Sequence, residues 1–320
     1  MTGQASSLSF EIFPPKPEVG NTKILQALQE MQDLAPHFIS VTCSNSSLNV
    51  EESTVRLADY IHNQLQIPSI AHLPAAYLTK DKVRYILKAL DDIGVERILA
   101  LRGDRIQGLA PQEDFRYATD LVSFIKEEAP HFDIIGACYP EVHPESPNAL
   151  SDIKNLKKKV DAGCSTLVTQ LFFDNEVFYD FQEKCSLADI EVPIIAGIMP
   201  IINRNQALRL LKTCENIRLP RKFKAILEKY EHDPESLRAA GLAYAVDQIV
   251  DLVTNNVAGV HLYTMNNAAT ARHIHQATPM PSLSTKNKIN GLKTVDFLLS
   301  HELTRPAPDN QIVSGYGCNF

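Results

Sequence analysis

Residues 69–104 read SIAHLPAAYLTKDKVRYILKALDDIGVERILALRGD, and this stretch contains the pattern that decides the fold. Two apolar runs, SIAHL and RILAL, flank a segment in which apolar residues recur at steps of three and four, as on one face of an α-helix. Thr79 is suited to cap the start of this helix, and Gly94 is suited to end it. The stretch therefore predicts a strand–helix–strand unit.

The same alternation extends in both directions along the chain. Eight short apolar runs lie between residues 8 and 266, and segments with helical periodicity separate them. The runs are rich in Val, Ile and Phe without regular polar alternation, which is typical of parallel strands covered on both faces. This pattern predicts an α/β fold, a closed (β/α)8 TIM barrel rather than an open sheet. Between the last two runs, residues 215–258 add two helices that begin near Pro220 and Pro234.

The chain divides into a barrel and an extension. We predict one catalytic (β/α)8 domain over residues 1–280, because its alternation continues without a break in composition. After Thr278 the sequence changes to a Pro- and Ser-containing linker, one further helical pattern and a loose end. Residues 281–320 are therefore predicted to form a C-terminal helix and tail.

Charge and cysteine content exclude several classes of protein. The chain has 31 basic and 38 acidic residues and a formal net charge of -7, which disfavours non-specific binding to nucleic acid. Its six cysteines form no CxxC pair and no Cys/His spacing suited to zinc, so we predict no metal and a reducing cytoplasm. No window approaches the roughly 18 apolar residues of a membrane helix, and the first residues do not resemble a signal peptide. We expect neither nucleic acid nor a membrane as a partner.

Nearly every apolar run ends in a side chain that can take part in chemistry. The carboxyl ends of the strands of a parallel barrel lie on one face, where the loops build a shared site. The side chains at these ends are those of Glu11, Thr42, His72, Arg102, Asp104, Tyr139, Gln170, Met199 and Asn266. The sequence therefore predicts one composite site made by many strands.

Glu11 lies inside the apolar run SFEIFPP, where an unpaired carboxylate would cost several kcal/mol. One interpretation is a buried structural pair with an Arg or Lys of the barrel. The other is a general acid whose pKa is raised by apolar surroundings.

Basic groups follow the fourth and fifth runs. In Arg102-Gly103-Asp104 the glycine allows a flat ligand to approach the backbone, although a simple salt bridge between Arg102 and Asp104 is an equal alternative. Lys158 and Lys159 lie on a predicted helix. They either belong to a basic helix face that is exposed to solvent or bind the phosphates of a nucleotide cofactor. The chain has neither GxGxxG nor GxxxxGK[ST], so barrel loops would hold any phosphate-bearing cofactor.

Ten strings together resemble the methylenetetrahydrofolate reductase family in its bacterial short form. They occur in the family's order and span roughly residues 8–267: SFEIFPPK, FISVTCSN, AHL, ILALRGD, YATDLV, YPEVHPE, LKKKVDAG, TQLFFD, AGIMPI and HLYTMN. The resemblance implies a flavoenzyme of one-carbon metabolism and methionine synthesis, which reduces 5,10-methylenetetrahydrofolate to 5-methyltetrahydrofolate with NADH or NADPH. It implies a ping-pong mechanism in which FAD first accepts and then donates the hydride.

The resemblance also implies roles for individual residues. Glu11 matches the general acid that protonates folate N10, and Asp104 matches the aspartate that contacts the pterin near the flavin. Gln170 matches a residue that serves nicotinamide and folate in turn, Gln206 a folate contact, and Thr42 a contact to nicotinamide and flavin. The other positions that match FAD contacts are Cys43, Asn45, His72, Arg102, Gly103, Asp104, Ala118, Tyr139, His143, Asp152, Asn155, Lys158 and Lys159.

The chain departs from the family pattern at several positions. Lys158 and Lys159 replace an Arg-Lys pair, which keeps the charge but loses a bidentate fork. Asn267 stands where an arginine commonly contacts the substrate, a function that Arg272 or the tail would have to supply. Leu210 stands where an aromatic often stacks on the nicotinamide nucleotide, and Cys164 where many members have alanine.

Two other functions are compatible with a flavin-type barrel. One is a different FAD-dependent oxidoreductase, such as a proline dehydrogenase-like enzyme, which would need a small amino-acid site. The other is a catalytically inactive partner subunit, which the presence of Glu11, Asp104 and Gln170 argues against. For the active enzyme we expect a homo-oligomer.

Overall fold

The structure is a computed structural model that describes residues 6–15, 21–43, 51–103, 110–213, 217–278 and Met280. Three of the sequence predictions concern Asn45, Asp104 and the extension at residues 281–320, and all three lie outside the described residues.

Eight parallel strands follow one another around a closed barrel in chain order, and the last strand pairs with the first. They are β1 (Ser7–Ile12), β2 (Ile39–Val41), β3 (Ser69–Pro74), β4 (Arg97–Leu101), β5 (Asp133–Cys138), β6 (Cys164–Thr169), β7 (Ile194–Ile198) and β8 (Gly259–Tyr263). The predicted TIM barrel is confirmed.

Helices cover the outside of this barrel. They are α1 (Asn21–Gln32), α2 (Arg56–Asp59), α3 (Lys80–Asp92), α4 (Ala118–Glu128), α5 (Ala149–Asp161), α6 (Asn175–Leu187), α7 (Arg204–Thr213), α8 (Arg221–Lys229), α9 (Pro234–Thr254) and α10 (Ala268–Ala277). Wider π-type turns, Glu51–Val55 and Tyr60–Gln64, extend α2 on both sides. The two helices predicted within residues 215–258 are confirmed as α8 and α9. In the described part of the chain, no helix is both long and apolar enough to cross a membrane.

Local signals set the ends of the helices as the sequence indicates. The Thr79 hydroxyl accepts a hydrogen bond from the Lys82 backbone N–H (3.2 Å) and so caps α3. Gly94 and Gly163 follow α3 and α5 with φ angles of +75° and +125°, a region that side-chain-bearing residues rarely adopt.

Alternate residues of the strands point into the barrel or out toward the helices. The apolar inner residues form their own cluster: Phe38, Ile70, Leu99, Leu101, Ile135, Ala137, Val168, Ile195, Met199 and Tyr263. Glu11, His72 and Gln170 share the alternation of inward residues, two positions after Ser9, Ile70 and Val168. Their side chains therefore belong to the carboxyl-end layer of the barrel interior.

The inserted helices pack beside the carboxyl ends of β6 and β7. The Phe173 ring stacks on the Phe223 ring of α8 with centroids 4.6 Å apart, and the Tyr244 hydroxyl of α9 donates to the Phe173 carbonyl (2.6 Å). At Gly241 the α9 backbone approaches the β7–α7 loop so closely that a Cβ would lie 1.8 Å from the Ile201 carbonyl oxygen. These contacts fix the loop that leads to Gln206.

Candidate functional site

Glu11 lies near the end of β1 with its carboxyl group buried in the barrel. Its side chain is 13% exposed, and its Oε2 atom has no hydrogen-bond partner among the described residues. Among the described residues its ionisable neighbours are His72 and His261, whose Nε2 atoms lie 3.6 and 3.9 Å from Oε2. No Arg or Lys of the described chain forms an ion pair with it, so these residues give no support to the structural-pair interpretation.

The two histidines are electrically neutral neighbours of Glu11. Burial lowers the pKa of both His72 and His261 to about 3, and the proximity of His261 lowers that of His72 further. Burial also raises the pKa of Glu11 well above its ordinary value. Burial of this carboxyl group beside two neutral imidazoles favours its protonated form, which suits the role of a general acid.

His261 is held in one tautomer by two buried serines. The Ser9 hydroxyl donates to the Val260 carbonyl (3.2 Å), so it accepts from Nδ1–H of His261 (2.8 Å). His261 Nε2 then carries the lone pair and accepts from the Ser40 hydroxyl (3.0 Å). His261 was not among the predicted site residues because it lies in the apolar run VHLY, although its alternation with the inward-facing Tyr263 places it in the barrel interior.

The backbone around Glu11 is tied to the end of β8. The Thr264 hydroxyl donates to the Glu11 carbonyl (2.7 Å). The Asn266 side chain accepts from the Phe13 backbone N–H (3.0 Å) and donates to the Phe13 carbonyl (2.8 Å). Asn266 has a φ of +57°, a conformation that Asn tolerates better than most residues. Asn266, one of the polar strand ends, thus closes the barrel beside the acid.

Thr42 and Cys43 follow β2 next to the Glu11 strand. The Thr42 N–H donates to the Ile12 carbonyl (2.9 Å), and its carbonyl accepts from the Thr54 hydroxyl (3.0 Å). Cys43 is 1% exposed. The structure therefore places both residues at the carboxyl end of the barrel, with the Cys43 thiol turned away from solvent.

The two glutamines use their amide oxygens in the same way. Gln170 Oε1 accepts from the Leu171 N–H (2.8 Å), and Gln206 Oε1 accepts from the Ile202 N–H (2.9 Å). With the oxygens engaged by backbone, the amide nitrogens are the groups that can donate to a ligand. Gln170 is 6% exposed and Gln206 is half-buried.

Asp152 orders the β5–α5 loop. Its carboxylate accepts from the His143 N–H (2.9 Å) and from the Ser146 hydroxyl (2.6 Å). The Tyr139 ring meets the His143 ring edge-on at 4.6 Å. His143 Nδ1 accepts from the Glu145 N–H (3.1 Å), which leaves its Nε2–H as a donor when the ring is neutral.

Arg102 connects the end of β4 to this loop. Its guanidinium pairs with both carboxylate oxygens of Glu145, with an Nη2–Oε1 distance of 2.9 Å, and its Nε donates to the Gly103 carbonyl (3.2 Å). Burial and the nearby Arg102 charge lower the pKa of His143. The alternative pair between Arg102 and Asp104 concerns a residue outside the described part of the chain.

The two lysines of α5 differ in their surroundings. Lys158 is exposed, and its Nζ donates to Asn155 Oδ1 (2.9 Å). Lys159 reaches the barrel wall, where its Nζ donates to the Ala137 carbonyl (2.5 Å). Ala118 is buried as the first residue of α4. Lys158 is therefore the lysine of this pair whose charge reaches solvent most readily.

The positions that depart from the family pattern have structural roles. The Asn267 side chain caps the start of α10. Arg272 forms an ion pair with Asp33 (3.0 Å) beside α1, so its charge already has a partner within the protein. Leu210 is 1% exposed within the interior cluster. Burial raises the pKa of the Cys164 thiol to about 11. In the part of the chain that the structure covers, no group of three or more His, Cys, Asp and Glu could hold a metal ion.

The neutral histidines predict a loss of stability in acid. Their pKa is about 3 in the folded protein against an ordinary 6.5, so below pH 6.5 the unfolded chain takes up protons that the folded chain does not. We expect the free energy of unfolding to fall as the pH drops from 6.5 toward 3, by up to about 1.4 kcal/mol per pH unit for each histidine. Urea unfolding of the protein and of His261→Gln between pH 7.5 and 4.5 measures this slope. Equal slopes would contradict the assignment.

Comparisons with known proteins agree on one family. A family model described as methylenetetrahydrofolate reductase matches residues 2–279. The 5,10-methylenetetrahydrofolate reductase of Salmonella typhimurium is 36% identical over 262 residues, which are 82% of this chain and 87% of that protein. Methylenetetrahydrofolate reductase (NADH) 1 of Arabidopsis thaliana is 31% identical over 275 residues, 82% of this chain and 46% of that protein.

A comparison of folds adds a more distant likeness. A solved structure of an uncharacterized protein from Clostridium thermocellum that binds two copies of 5-methyl-5,6,7,8-tetrahydrofolic acid gives a TM-score of 0.63 at 15% identity, covering 86% of this chain and 95% of that chain. At this identity the likeness supports the barrel fold.

Proposed function

The chain belongs to the methylenetetrahydrofolate reductase family, and on this premise we propose that it reduces 5,10-methylenetetrahydrofolate to 5-methyltetrahydrofolate with FAD as cofactor and NADH or NADPH as hydride donor. Relatives that carry this name over most of their length support reduction of the folate. One relative is named as an NADH enzyme, which supports NADH as the first donor to test.

The observation that carries the proposal is the buried Glu11 carboxyl group, whose pKa is raised by burial. Burial favours the protonated form of this carboxyl group, and its Oε2 atom has no hydrogen-bond partner among the described residues. Transfer of that proton to folate N10 would open the five-membered ring, as the family resemblance implies. The neutral His72 and His261 favour retention of the proton on Glu11 until a base of the substrate approaches, because no Arg or Lys among the described residues pairs with the carboxylate.

Two glutamines that follow β6 and β7, Gln170 and Gln206, offer hydrogen-bond donors for the folate. The amide nitrogens of Gln170 and Gln206 can donate to the polar edge of a pterin or to the amide of a nicotinamide. We propose that one site receives the two substrates in turn, in a ping-pong reaction, because Gln170 matches a residue that serves both. Asp104 would accept hydrogen bonds from the pterin.

The groups beside β4 and β5 fit a flavin nucleotide. Arg102, the Nε2–H of His143 and the exposed Lys158 are donors suited to phosphate oxygens, and Asp152 fixes the loop between them. Tyr139 and Asn155 lie on the same loop and helix. Bound FAD would supply a centre that accepts a hydride and gives it up again. We further propose a homo-oligomer in the cytoplasm that serves methionine synthesis.

An anaerobic titration tests this function. Purified protein should show flavin absorbance in the visible range, NADH or NADPH should bleach it, and methylenetetrahydrofolate should restore it with formation of 5-methyltetrahydrofolate. A flavin that is bleached but not restored by the folate would favour another flavin barrel, such as a proline dehydrogenase-like enzyme. Protein that binds no flavin would favour an inactive partner subunit.

A further inference from the structure

Glu145 and Arg102 form an ion pair between two loops of the proposed cofactor site. Arg102 follows β4 and Glu145 lies in the β5–α5 loop, and the carboxylate engages both terminal nitrogens of the guanidinium. The side chains are 23% and 48% exposed, respectively. The pair is thus open to solvent and to any ligand that enters the loop region.

A carboxylate in this position uses the donors that a phosphate would use. Guanidinium groups bind carboxylates and phosphates through the same two parallel N–H donors, so the two anions compete for one fork. Ion pairs that are this exposed contribute little net stability, because both partners are well solvated when separated. A phosphate at Arg102 could therefore displace Glu145 without disrupting the fold.

The β5–α5 loop is also held by contacts other than the ion pair between Arg102 and Glu145. Asp152 holds the loop through the His143 N–H and the Ser146 hydroxyl, and these bonds do not involve Glu145. The contact from Glu145 to His143 Nδ1 comes from its backbone N–H. Removal of the charge should therefore leave the His143 tautomer and the loop backbone unchanged.

We propose that the Glu145 carboxylate is a built-in competitor for phosphate at Arg102 and so limits the affinity of this site for a nucleotide. The inference rests on the proposed binding of FAD, whose diphosphate is the anion concerned. If the ion pair must open before the ligand binds, the apparent Kd equals the intrinsic Kd divided by the fraction of molecules in which the pair is open.

The test is a binding titration of the apo-protein with two probes. FAD binding is followed by the quenching of flavin fluorescence, and ADP, which has the diphosphate but no flavin, by calorimetry. We expect Glu145→Gln to lower the Kd for both probes by about threefold to sixfold, the scale of a weak exposed ion pair. In an Arg102→Met background Glu145→Gln should not change the Kd, because the guanidinium for which Glu145 and phosphate compete is absent.

Two matched variants separate direct competition from a general change in charge. Glu141→Gln removes the same charge from the same loop, but Glu141 accepts from the Arg218 backbone N–H rather than from Arg102. Glu128→Gln removes a carboxylate that pairs with both Nε and Nη2 of Arg84 on the outer helices. Both are expected to leave the Kd values within about twofold, since neither carboxylate occupies the donors of Arg102.

The outcomes of the titrations are distinct. An unchanged Kd in Glu145→Gln would overturn the proposed competition between Glu145 and phosphate. An equal decrease in Kd in Glu141→Gln would overturn it as well. A higher Kd would overturn it too and would show that Glu145 positions Arg102. If Glu145→Gln bound ADP more tightly but did not bind FAD, the proposed function would be contradicted, whereas the competition of Glu145 with phosphate at Arg102 would be supported. Binding of neither probe would overturn both.

Discussion

Replacement of Glu11 by Gln is expected to lower the turnover of methylenetetrahydrofolate by about 10²- to 10⁴-fold, the range that a positioned general acid contributes. Oxidation of NADH by an artificial quinone acceptor should stay within about threefold, because that half-reaction needs no proton from this carboxyl. The amide keeps the size and polarity of the side chain but has no acidic proton to give to N10.

The structure gives this expectation its physical basis. Glu11 Oε2 is buried 3.6 Å from His72 Nε2 and 3.9 Å from His261 Nε2, and both histidines are neutral at physiological pH. Burial therefore raises the pKa of Glu11 and favours its protonated form. A Gln side chain at this site introduces no new charge, so folding should be little affected.

Stopped-flow measurement of each half-reaction, with thermal unfolding as a check on folding, decides the role of Glu11. Glu11→Asp is the companion variant, since it keeps the acid but moves it back by one methylene, and it should retain part of the folate reaction. Equal losses in both half-reactions of Glu11→Gln would mean that the residue supports the site as a whole rather than protonating the folate.

Gly241→Ala is expected to destabilise the protein by about 3 kcal/mol, although alanine favours helices over glycine by about 1 kcal/mol. The added Cβ would lie 1.8 Å from the Ile201 carbonyl oxygen, which belongs to backbone and cannot rotate away. Either α9 or the β7–α7 loop must shift. Because Gln206 bonds to the Ile202 N–H of that loop, the affinity for the folate should fall as well.

Ala243→Gly is the matched change in the same helix. Ala243 is exposed, so its replacement should cost only the helix propensity, about 1 kcal/mol. Urea unfolding measures both free energies, and the Michaelis constant for methylenetetrahydrofolate reports on the loop. A Gly241→Ala protein as stable as the original would show that α9 is free to move away from the loop.

The barrel and part of the site could be predicted because their signals are local. Apolar runs alternating with segments of helical periodicity predict strands and helices, and Thr79 and Gly94 mark the ends of one helix within a few residues of sequence. Glu11 could be selected because a carboxyl group inside the apolar run SFEIF is unusual. The closed barrel then brings the strand ends to one face, as parallel strands require.

Other features depend on pairs of residues that are far apart along the chain. Ser9 and His261 are separated by 252 positions and meet only because β1 pairs with β8 when the barrel closes. The ion pair of Arg102 with Glu145 is also non-local, because the two residues are 43 positions apart and follow the neighbouring strands β4 and β5.

The sequence by itself determined the alternation of strands and helices, the family resemblance and the identity of the candidate acid. Only the tertiary structure decided that the described ionisable groups beside this acid are neutral histidines rather than an Arg or Lys, because a pKa depends on the burial and charge around a group in space. It also decided that Gly241 must lack a side chain, since the close approach of α9 to Ile201 is a property of packing.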